Sequence, residues 1–293
     1  MNLYEYGLDF LEKNSPKYLI TDPSTGIITA TDSNTFIGVQ TLFKSVKNKI
    51  NFLCYDIGLS DDQKEWCAKE GLKTKVIKDP NCKHLDKWQT YIKPWFVADS
   101  PYEYTIWIDS DCIVTGNLAE SDFIRNKQSF FIKHWIKQKY LNKNHKSLYT
   151  HHPVANKEAP GINAGVFGIN KRANHTIIDK WMFILLEAFK NSHILDAIAN
   201  WDEGALNWAL QNDDNYKLIH NDERYNCFSS FLIDEDTHDF SVYEQSILSF
   251  AKSASSRLFF KHVLEKAKDK YILHFSTCME NKIKYWGAWD SSS

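Results

Sequence analysis

The sequence predicts an α/β fold of the Rossmann-like, doubly wound kind, with a mostly parallel central sheet flanked by helices. Three observations carry that reading. The first 77 residues alternate strand, helix, strand, helix, strand, the pattern of parallel strands joined by crossover helices. A β-branched and aromatic run from Tyr104 to Ile108 stops at Asp109-Ser110-Asp111, and in such sheets ligands bind beyond the carboxyl ends of the strands. With 293 residues, 43% hydrophobic and 25% charged, the chain is long and apolar enough for one large domain.

Residues 1–26 read as a lead-in. Leu8, Phe10 and Leu11 suit a short peripheral helix, and Asp22 to Gly26 are turn residues. Ile27 to Thr31 is the first strand, closed at once by Asp32, Ser33 and Asn34. Phe36, Val39, Leu42, Phe43 and Val46 recur at helical spacing over 35–47. Ile50 to Tyr55 is the second strand, Asp61 to Gly71 a helix with a glycine stop, and Lys73 to Ile77 the third strand. An aromatic-rich helix is expected over 88–98, where Pro94 restricts Lys93 and kinks the helix or starts a turn. A lysine in so apolar a segment either snorkels to solvent or faces an anion.

Tyr104 to Val114 is read as one strand through Asp109-Ser110-Asp111, and Ser129 to His134 as another. Residues 133–152 hold five lysines, four histidines and no acid, which reads first as a solvated surface segment and otherwise as a mobile basic flap over an anionic substrate or lipid. In Pro160 to Asn170, glycines alternate with apolar residues, and glycine inside a strand marks close approach of a ligand or another backbone. Asn163 is the polar group at that approach. Arg172 to Lys190 is an amphipathic helix, and Trp201 to Leu210 a short one with Asp202 and Glu203 in its first turn. Tyr216 to Ile219 is a late strand, 223–228 an aromatic loop and 241–268 a helix. Tyr271 to Phe275 is a strand carrying His274, followed by Lys282, Lys284, Tyr285 and Trp286.

Composition excludes several classes. A net charge of −2 gives no basis for nucleic-acid binding. No apolar run approaches the roughly 18 residues of a membrane span, and the N-terminus lacks a signal peptide's basic start and apolar core. Six scattered cysteines without a C-x-x-C pair read as reduced, mostly buried thiols of a cytoplasmic protein, not as a disulfide framework or a zinc site. Glycine-rich phosphate loops are missing, so the phosphates of any bound nucleotide need another counter-charge.

Asp109-Ser110-Asp111 offers one. On a strand, residues i and i+2 point the same way, so both carboxylates leave one side of one strand end. Like charges that close are costly without a cation between them. All-oxygen ligands suit Mg²⁺ or Mn²⁺. The bland alternative is a strand ending in a polar turn. Taken singly, the other candidates also have bland readings. Asp32 or Ser33 caps the next helix, Asp202 and Glu203 are first-turn acids, and His274 is a structural histidine.

Their order along the chain resembles a family. Ala30 to Asn34 after the first strand, Trp107 to Asp111, Ile162 to Val166, Asp202 to Asn207, and His274-Phe275 before a Lys-x-Trp span positions 27 to 286. The chain is similar to nucleotide-sugar glycosyltransferases of the GT-A fold, in particular the glycogenin-like and lipopolysaccharide galactosyltransferase-like group, glycosyltransferase family 8. The resemblance implies one GT-A domain over 1–293. Residues 27–115 would form the nucleotide-binding half and 116–293 the donor-sugar and acceptor half, with a helical insertion at about 229–268. It implies metal-dependent transfer of a hexose from a UDP-sugar to a glycan or glycolipid, with retention of configuration, in the building of a cell-surface polysaccharide or glycolipid. Peripheral membrane contact fits such an acceptor.

The resemblance also implies roles. Asp109, Asp111 and His274 would ligate Mn²⁺ (or Mg²⁺). Thr31, Asp32 and Asn34 would contact the uracil and ribose, and Lys93 and Ser110 would lie along the donor. Asn163, Ala164 and Gly165 would line the donor sugar. Asp202 would bind sugar hydroxyls and Glu203 would face the reacting carbon. Lys284 would stabilise the leaving diphosphate, with Lys282 its rival. Three features depart from the family pattern: Glu203 stands where glutamine is common, Tyr285 replaces a proline, and the Lys-x-Trp lies farther from His274. Two other classes remain open, a non-catalytic sugar-nucleotide or glycan-binding module and a haloacid-dehalogenase-type phosphatase, whose nucleophile motif also reads Asp-x-Asp.

Overall fold

A computed structural model describes residues 22–77, 83, 89, 91–133, 162–190, 201–210, 216–220, 224–225, 227–228 and 269–274. Lys282, Lys284, the basic segment 134–152 and the expected helix over 241–268 lie outside the described residues. The predicted opening alternation is present. Strand β1 (Thr25–Thr31), helix α1 (Phe36–Val46), β2 (Asn51–Asp56), α2 (Asp61–Glu70) and β3 (Lys73–Lys75) follow in order. After them come α3 (Lys93–Asp99), β4 (Tyr104–Ile108), β5 (Cys112–Val114), a short turn of helix at Leu118–Glu120 and α4 (Asp122–Arg125). The second half supplies β6 (Phe130–Lys133), β7 (Ile162–Asn170), α5 (Lys171–Lys190), α6 (Trp201–Leu210), β8 (Lys217–His220), β9 (Cys227–Phe228) and β10 (Ile272–His274). Among the described residues no helix is long and apolar enough to cross a membrane.

The main sheet has seven strands in the order β3-β2-β1-β4-β7-β6-β8. Every strand but β7 runs the same way, since β7 is antiparallel to both its neighbours and the other pairs are parallel. The sheet is therefore mostly parallel, as predicted. Strand β3 ends it with three exposed residues, two of them lysines, a composition that blocks edge-to-edge pairing. Helix α2 buries only Cys67 and depends on its ends. Ser60 and Gln63 form a capping box, Asp61 and Asp62 occupy the first turn, and Gly71 terminates it in the left-handed conformation.

Three expectations need correction. The helix expected over 88–98 begins only at Lys93, with Pro94 in its first turn, where a proline's missing N–H has no partner to lose. The strand expected over 104–114 is two strands in two sheets. Strand β4 belongs to the main sheet, while β5 pairs with β10 in a small sheet ordered β5-β10-β9. Cys227 and Phe228, expected in a loop, form that sheet's third strand and run parallel to β10.

The sheet packs on both faces. Ile27, Tyr104, Ile106, Ile108 and Phe130 face one core with α1, β5 and β10. Ile28, Tyr55, Trp107, Phe131 and Phe167 face the other with α3, α5 and α6. On that second face a file of rings crosses the sheet: Tyr55 on Phe96 (4.6 Å), Phe96 on Trp107 (6.0 Å), Trp107 on Phe167 (6.4 Å) and Phe167 on Phe131 (5.7 Å). Trp107 and Phe131 each sit directly opposite Phe167 in register, so the strand pairing sets the stack. Truncating Phe167, which is fully buried, is expected to cost about 3–5 kcal/mol. Ser60→Ala, which removes only a cap, should cost about 1 kcal/mol. Urea unfolding of the two variants checks both the values and their order.

Candidate active site

The site lies where β1 and β4 end, antiparallel β7 begins and the small sheet starts. Adjacent parallel strands β1 and β4 release the chain at Asp32 and Asp109. Asp32 closes the turn ahead of α1 and does not cap it, because the N-cap position is Thr35 and no side chain caps the helix there. Its Oδ1 accepts from the backbone N–H of Asn34 (3.0 Å) and Thr35 (2.9 Å) and from the Thr35 hydroxyl (2.9 Å). The Thr31 and Thr35 hydroxyls meet at 2.9 Å. Asn34 is exposed at the same loop. Helix α1 then carries Gly38 under the next loop, where a Cβ would run into the Ser110 carbonyl. That close approach fits Asp109-Ser110-Asp111 against the start of α1.

The Asp-x-Asp segment is a turn. The Cys112 N–H donates to the Asp109 carbonyl at 3.0 Å, and the Asp109 N–H donates to the Gly165 carbonyl at 2.8 Å. Strand alternation therefore does not apply, and the two carboxylates part company. Asp109 Oδ1 accepts from the Trp107 indole N–H at 2.6 Å and lies 3.1 Å from the Lys93 ammonium. Asp111 Oδ1 instead lies 3.3 Å from His274 Nε2. The like-charge conflict expected from the sequence is relieved by separate partners.

Lys93 is the centre of the arrangement. Its side chain, 10% exposed, donates to the Ala164 carbonyl at 2.9 Å and contacts Asp109 and Asp202 Oδ2 at 3.1 and 2.8 Å. It also lies 5.0 Å from the Trp107 ring centroid, within cation–π range. Burial opposes its charge, but the carboxylates of Asp109 and Asp202 outweigh burial and hold its pKa above the ordinary value. Burial pushes the Asp202 carboxyl up to about 6, with Lys93 pulling it down and Asp109 and Glu203 adding to the rise. Asp202 Oδ2 touches the ammonium without a well-directed hydrogen bond.

Asp202 and Glu203 sit in the first turn of α6, locked from both sides. The Trp181 indole on α5 donates to the Asp202 carbonyl at 2.9 Å. Asn207 clamps α6 to β7, accepting from the Ile162 N–H (3.0 Å) and donating to the Ile162 carbonyl (3.2 Å) and the Glu203 carbonyl (2.9 Å). Glu203 Oε2 accepts from the Asn163 amide (3.1 Å) and the Ala164 N–H (3.3 Å), and Asn163 Oδ1 accepts from the Gly165 N–H (2.8 Å). These acids are thus more than first-turn charges: one faces Lys93 and the other faces β7.

Strand β7 makes this possible by a bulge. Opposite β6 its register slips between Phe131 and Ile132, leaving Ala164, Gly165 and Val166 unmatched. The expected close approach at Gly165 is His274, since a Cβ there would overlap the imidazole and lie 2.7 Å from Asn163 Oδ1. His274 is 2% exposed and is carried by β10, paired to β5.

Asp111 and His274 fit a divalent cation. Adjacent ligands about 2.1 Å from an octahedral ion stand about 3.0 Å apart, close to their 3.3 Å. Asp109 faces the same turn with Oδ1 engaged by Trp107 and Lys93. The structure thus brings together Lys93, Asp109, Ser110, Asp111, Asn163, Ala164, Gly165, Asp202, Glu203 and His274. Sequence reasoning missed Trp107, Asn207, Gly38, Thr35 and Cys112. Only Asn207 had a local signal, an amide on the buried stripe of a short helix.

Lys93→Met is expected to destabilise the fold by about 3–5 kcal/mol, because buried carboxylates lose their cation. The double variant with Asp202→Asn should recover part of that loss in urea unfolding. Because the folded state holds the Asp202 proton up to about 6 against an ordinary 3.8, this group's contribution is fully present below pH ~4 and is lost as pH rises through about 6. Asp202→Asn should flatten that part of the stability–pH profile.

No family model and no curated protein sequence matches the chain. Solved structures do. An active-site mutant of LgtC, and the galactosyltransferase LgtC in complex with donor and acceptor sugar analogues, each show 15% identity, a TM-score of 0.51, and coverage of 91% of this chain and 95% of theirs. The glycosyltransferase GlyE of Streptococcus pneumoniae TIGR4 shows 18% identity and a TM-score of 0.47, covering 85% of this chain and 54% of GlyE. Mouse xyloside xylosyltransferase 1 shows 12% identity and a TM-score of 0.46, covering 86% of this chain and 98% of its own. The resemblance read from five sequence motifs holds at the level of architecture, and the chain has the GT-A fold of the glycosyltransferase LgtC.

Proposed function

We propose that the protein is a metal-dependent glycosyltransferase that moves a hexose from a UDP-sugar to a glycan or glycolipid acceptor with retention of configuration. The observation that carries the reading is convergence. The Asp-x-Asp turn, Lys93, the β7 bulge, the acids of α6 and His274 come from five separate stretches and meet at one sheet end. LgtC, a galactosyltransferase solved with donor and acceptor sugar analogues, has the same fold.

In this reading the uracil and ribose lie over Thr31, Asp32 and Asn34, at the end of the strand beside β4. Asp111 and His274, joined by Asp109, would hold Mn²⁺ or Mg²⁺. That ion, when bound, supplies positive charge where the diphosphate gathers negative charge. Lys93 holds the carboxylates of Asp109 and Asp202 in place, so neither must reorganise when the donor binds. Asp202 accepts hydroxyls of the donor sugar through its poorly paired Oδ2. Glu203 presents a carboxylate to the anomeric carbon, where positive charge grows as the glycosyl–phosphate bond breaks. Its Oε2 is held by Asn163 and Ala164, which fixes its aim. Lys284, or Lys282 in its place, would meet the leaving diphosphate. A glutamate at 203 is a stronger nucleophile than an amide and favours a covalent glycosyl-enzyme over same-face attack.

A panel of UDP-glucose, UDP-galactose and their N-acetyl forms with Mn²⁺ should release UDP from one member, and Asp111→Ala should abolish release. Tight binding without hydrolysis or transfer across the whole panel would instead mark a non-catalytic module, and turnover of phosphomonoesters a phosphatase. Glu203→Gln should lower turnover by about 10²-fold or more with donor affinity largely kept. Unchanged turnover removes Glu203 from the reaction.

A further inference from the structure

The metal centre has a neighbour that an oxygen-seeking cation does not use. Cys112 opens β5 and stands directly opposite His274 in the antiparallel β5–β10 pair, so the two side chains leave the same face of the small sheet. Both are buried, at 1% and 2% exposure, and Cys112 forms no disulfide. One ligand atom each from Asp111, Cys112 and His274 all lie within 4.8 Å of one another. The absence of a C-x-x-C pair gave the sequence no sign of this, because the thiol and the imidazole lie 162 positions apart in the chain.

We propose that Asp111, Cys112 and His274 form a binding mode for a thiophilic divalent cation of the zinc class, overlapping the centre read above as a Mn²⁺ or Mg²⁺ site. It rests on that reading only for the competition between the two kinds of ion. Carboxylate, thiolate and imidazole are a zinc donor set, with a fourth position open to water. In a zinc tetrahedron adjacent ligand atoms stand about 3.3–3.7 Å apart. Asp111 Oδ1 and His274 Nε2 already stand at 3.3 Å, and the Cys112 sulfur lies within 4.8 Å of both residues' ligand atoms. Binding converts the thiol to thiolate and releases one proton to solvent, with no change of oxidation state.

The two modes differ in what they need. Mn²⁺ stands at the weak end of the divalent series and gains little from sulfur. With Asp109 engaged by Lys93 and Trp107, it depends on a nucleotide's oxygens to fill its shell. A thiophilic cation takes three protein ligands with no nucleotide present. It would thus occupy the free enzyme and exclude Mn²⁺ from Asp111 and His274.

The test uses the full chain without nucleotide, titrated with Co²⁺ and with Cd²⁺ while the sulfur-to-metal charge-transfer band is followed. A band saturating at one metal per chain is expected, lost in Cys112→Ser and in His274→Ala. Zn²⁺ affinity, measured against a chromophoric chelator, should fall at least about tenfold in Cys112→Ser. Cys112→Val keeps the buried volume apolar, so loss of the band in a Val variant with a normal unfolding midpoint separates loss of a ligand from loss of the fold. No band in the wild type at stoichiometric metal, or an undiminished band in both Cys112 variants, overturns the proposal. Mn²⁺-dependent sugar transfer without the band overturns the thiol mode alone. The band without transfer from any UDP-hexose overturns the proposed function and leaves the thiol mode standing.

Discussion

One buried cation organises the site. Lys93 Nζ touches Asp109, Asp202 and the Ala164 carbonyl within 2.8–3.1 Å, so β4, β7 and α6 converge on one atom. An ammonium buried without partners would surrender its proton, and a carboxylate buried alone would take one up. Here the two carboxylates hold the ammonium charged against its burial, at a desolvation cost that makes the group an unreliable source of stability but a strict source of geometry. The sequence local to Lys93 serves the same end. Pro94 fixes the first turn of α3, and Phe96 stacks on both Tyr55 and Trp107. The ring file therefore sets where the ammonium stands, and the ammonium sets where two carboxylates point. Trp107 belongs to both systems, with its ring in the file and its N–H on Asp109.

The β7 bulge is the second constraint. Regular pairing along β7 would turn Gly165 and Val166 to opposite faces. With the register slipped, Val166 stays in the core shared with β5 and β10 while Gly165 faces the His274 ring. The same slip presents the Ala164 carbonyl to Lys93 and the Gly165 carbonyl to Asp109. A bulge of this kind re-aims backbone groups at a strand end without breaking the sheet. Glycine at 165 is required by the imagined side chain's overlap with imidazole, a tertiary fact and not a local backbone preference.

The first half of the fold was readable in the sequence because it is periodic. Strands β1 and β2 are short continuous buried runs, α1 repeats its apolar residues at helical spacing, and Ser60, Gln63 and Gly71 mark the ends of α2 by chemistry that acts within a few residues. The later failures share a cause. Residues 104–108 and 113–114 are all β-branched or aromatic, and nothing local says that Ile113 and Val114 leave the main sheet to pair with Leu273 and Ile272. Cys227 and Phe228 become a strand only because β10 lies beside them. The candidate site followed the same rule. Asp202 was correctly seen as a first-turn residue of α6, and Asp32 and the carboxylates of the turn were singled out, but their partners were not. Lys93, His274 and the bulge lie far from the turn in sequence, and only the recurrence of the motifs in family order pointed to them together. Asp109 and Asp111 were expected to share one side of a strand, and that failed because a hydrogen bond from Cys112 to Asp109 turns the chain between them.

That turn divides the charge in a consequential way. Asp109 is answered by Lys93 and Asp111 by His274, yet the centre as a whole holds the carboxyls of Asp109, Asp111, Asp202 and Glu203 against one ammonium among the described residues. Part of that excess is offset by the amide and backbone N–H groups on Glu203. The remainder is unfavourable to an anionic diphosphate, since like charges brought within a few ångströms in a partly buried site cost several kcal/mol at an effective dielectric near ~20. A sugar nucleotide can occupy this sheet end only with added positive charge, from a divalent ion on Asp111 and His274, from lysines brought over the site, or from both. In the proposed transfer these acids would thus be the reason a cation accompanies the donor. Electrostatics, more than the Asp-x-Asp pattern itself, makes the proposed transfer metal-dependent.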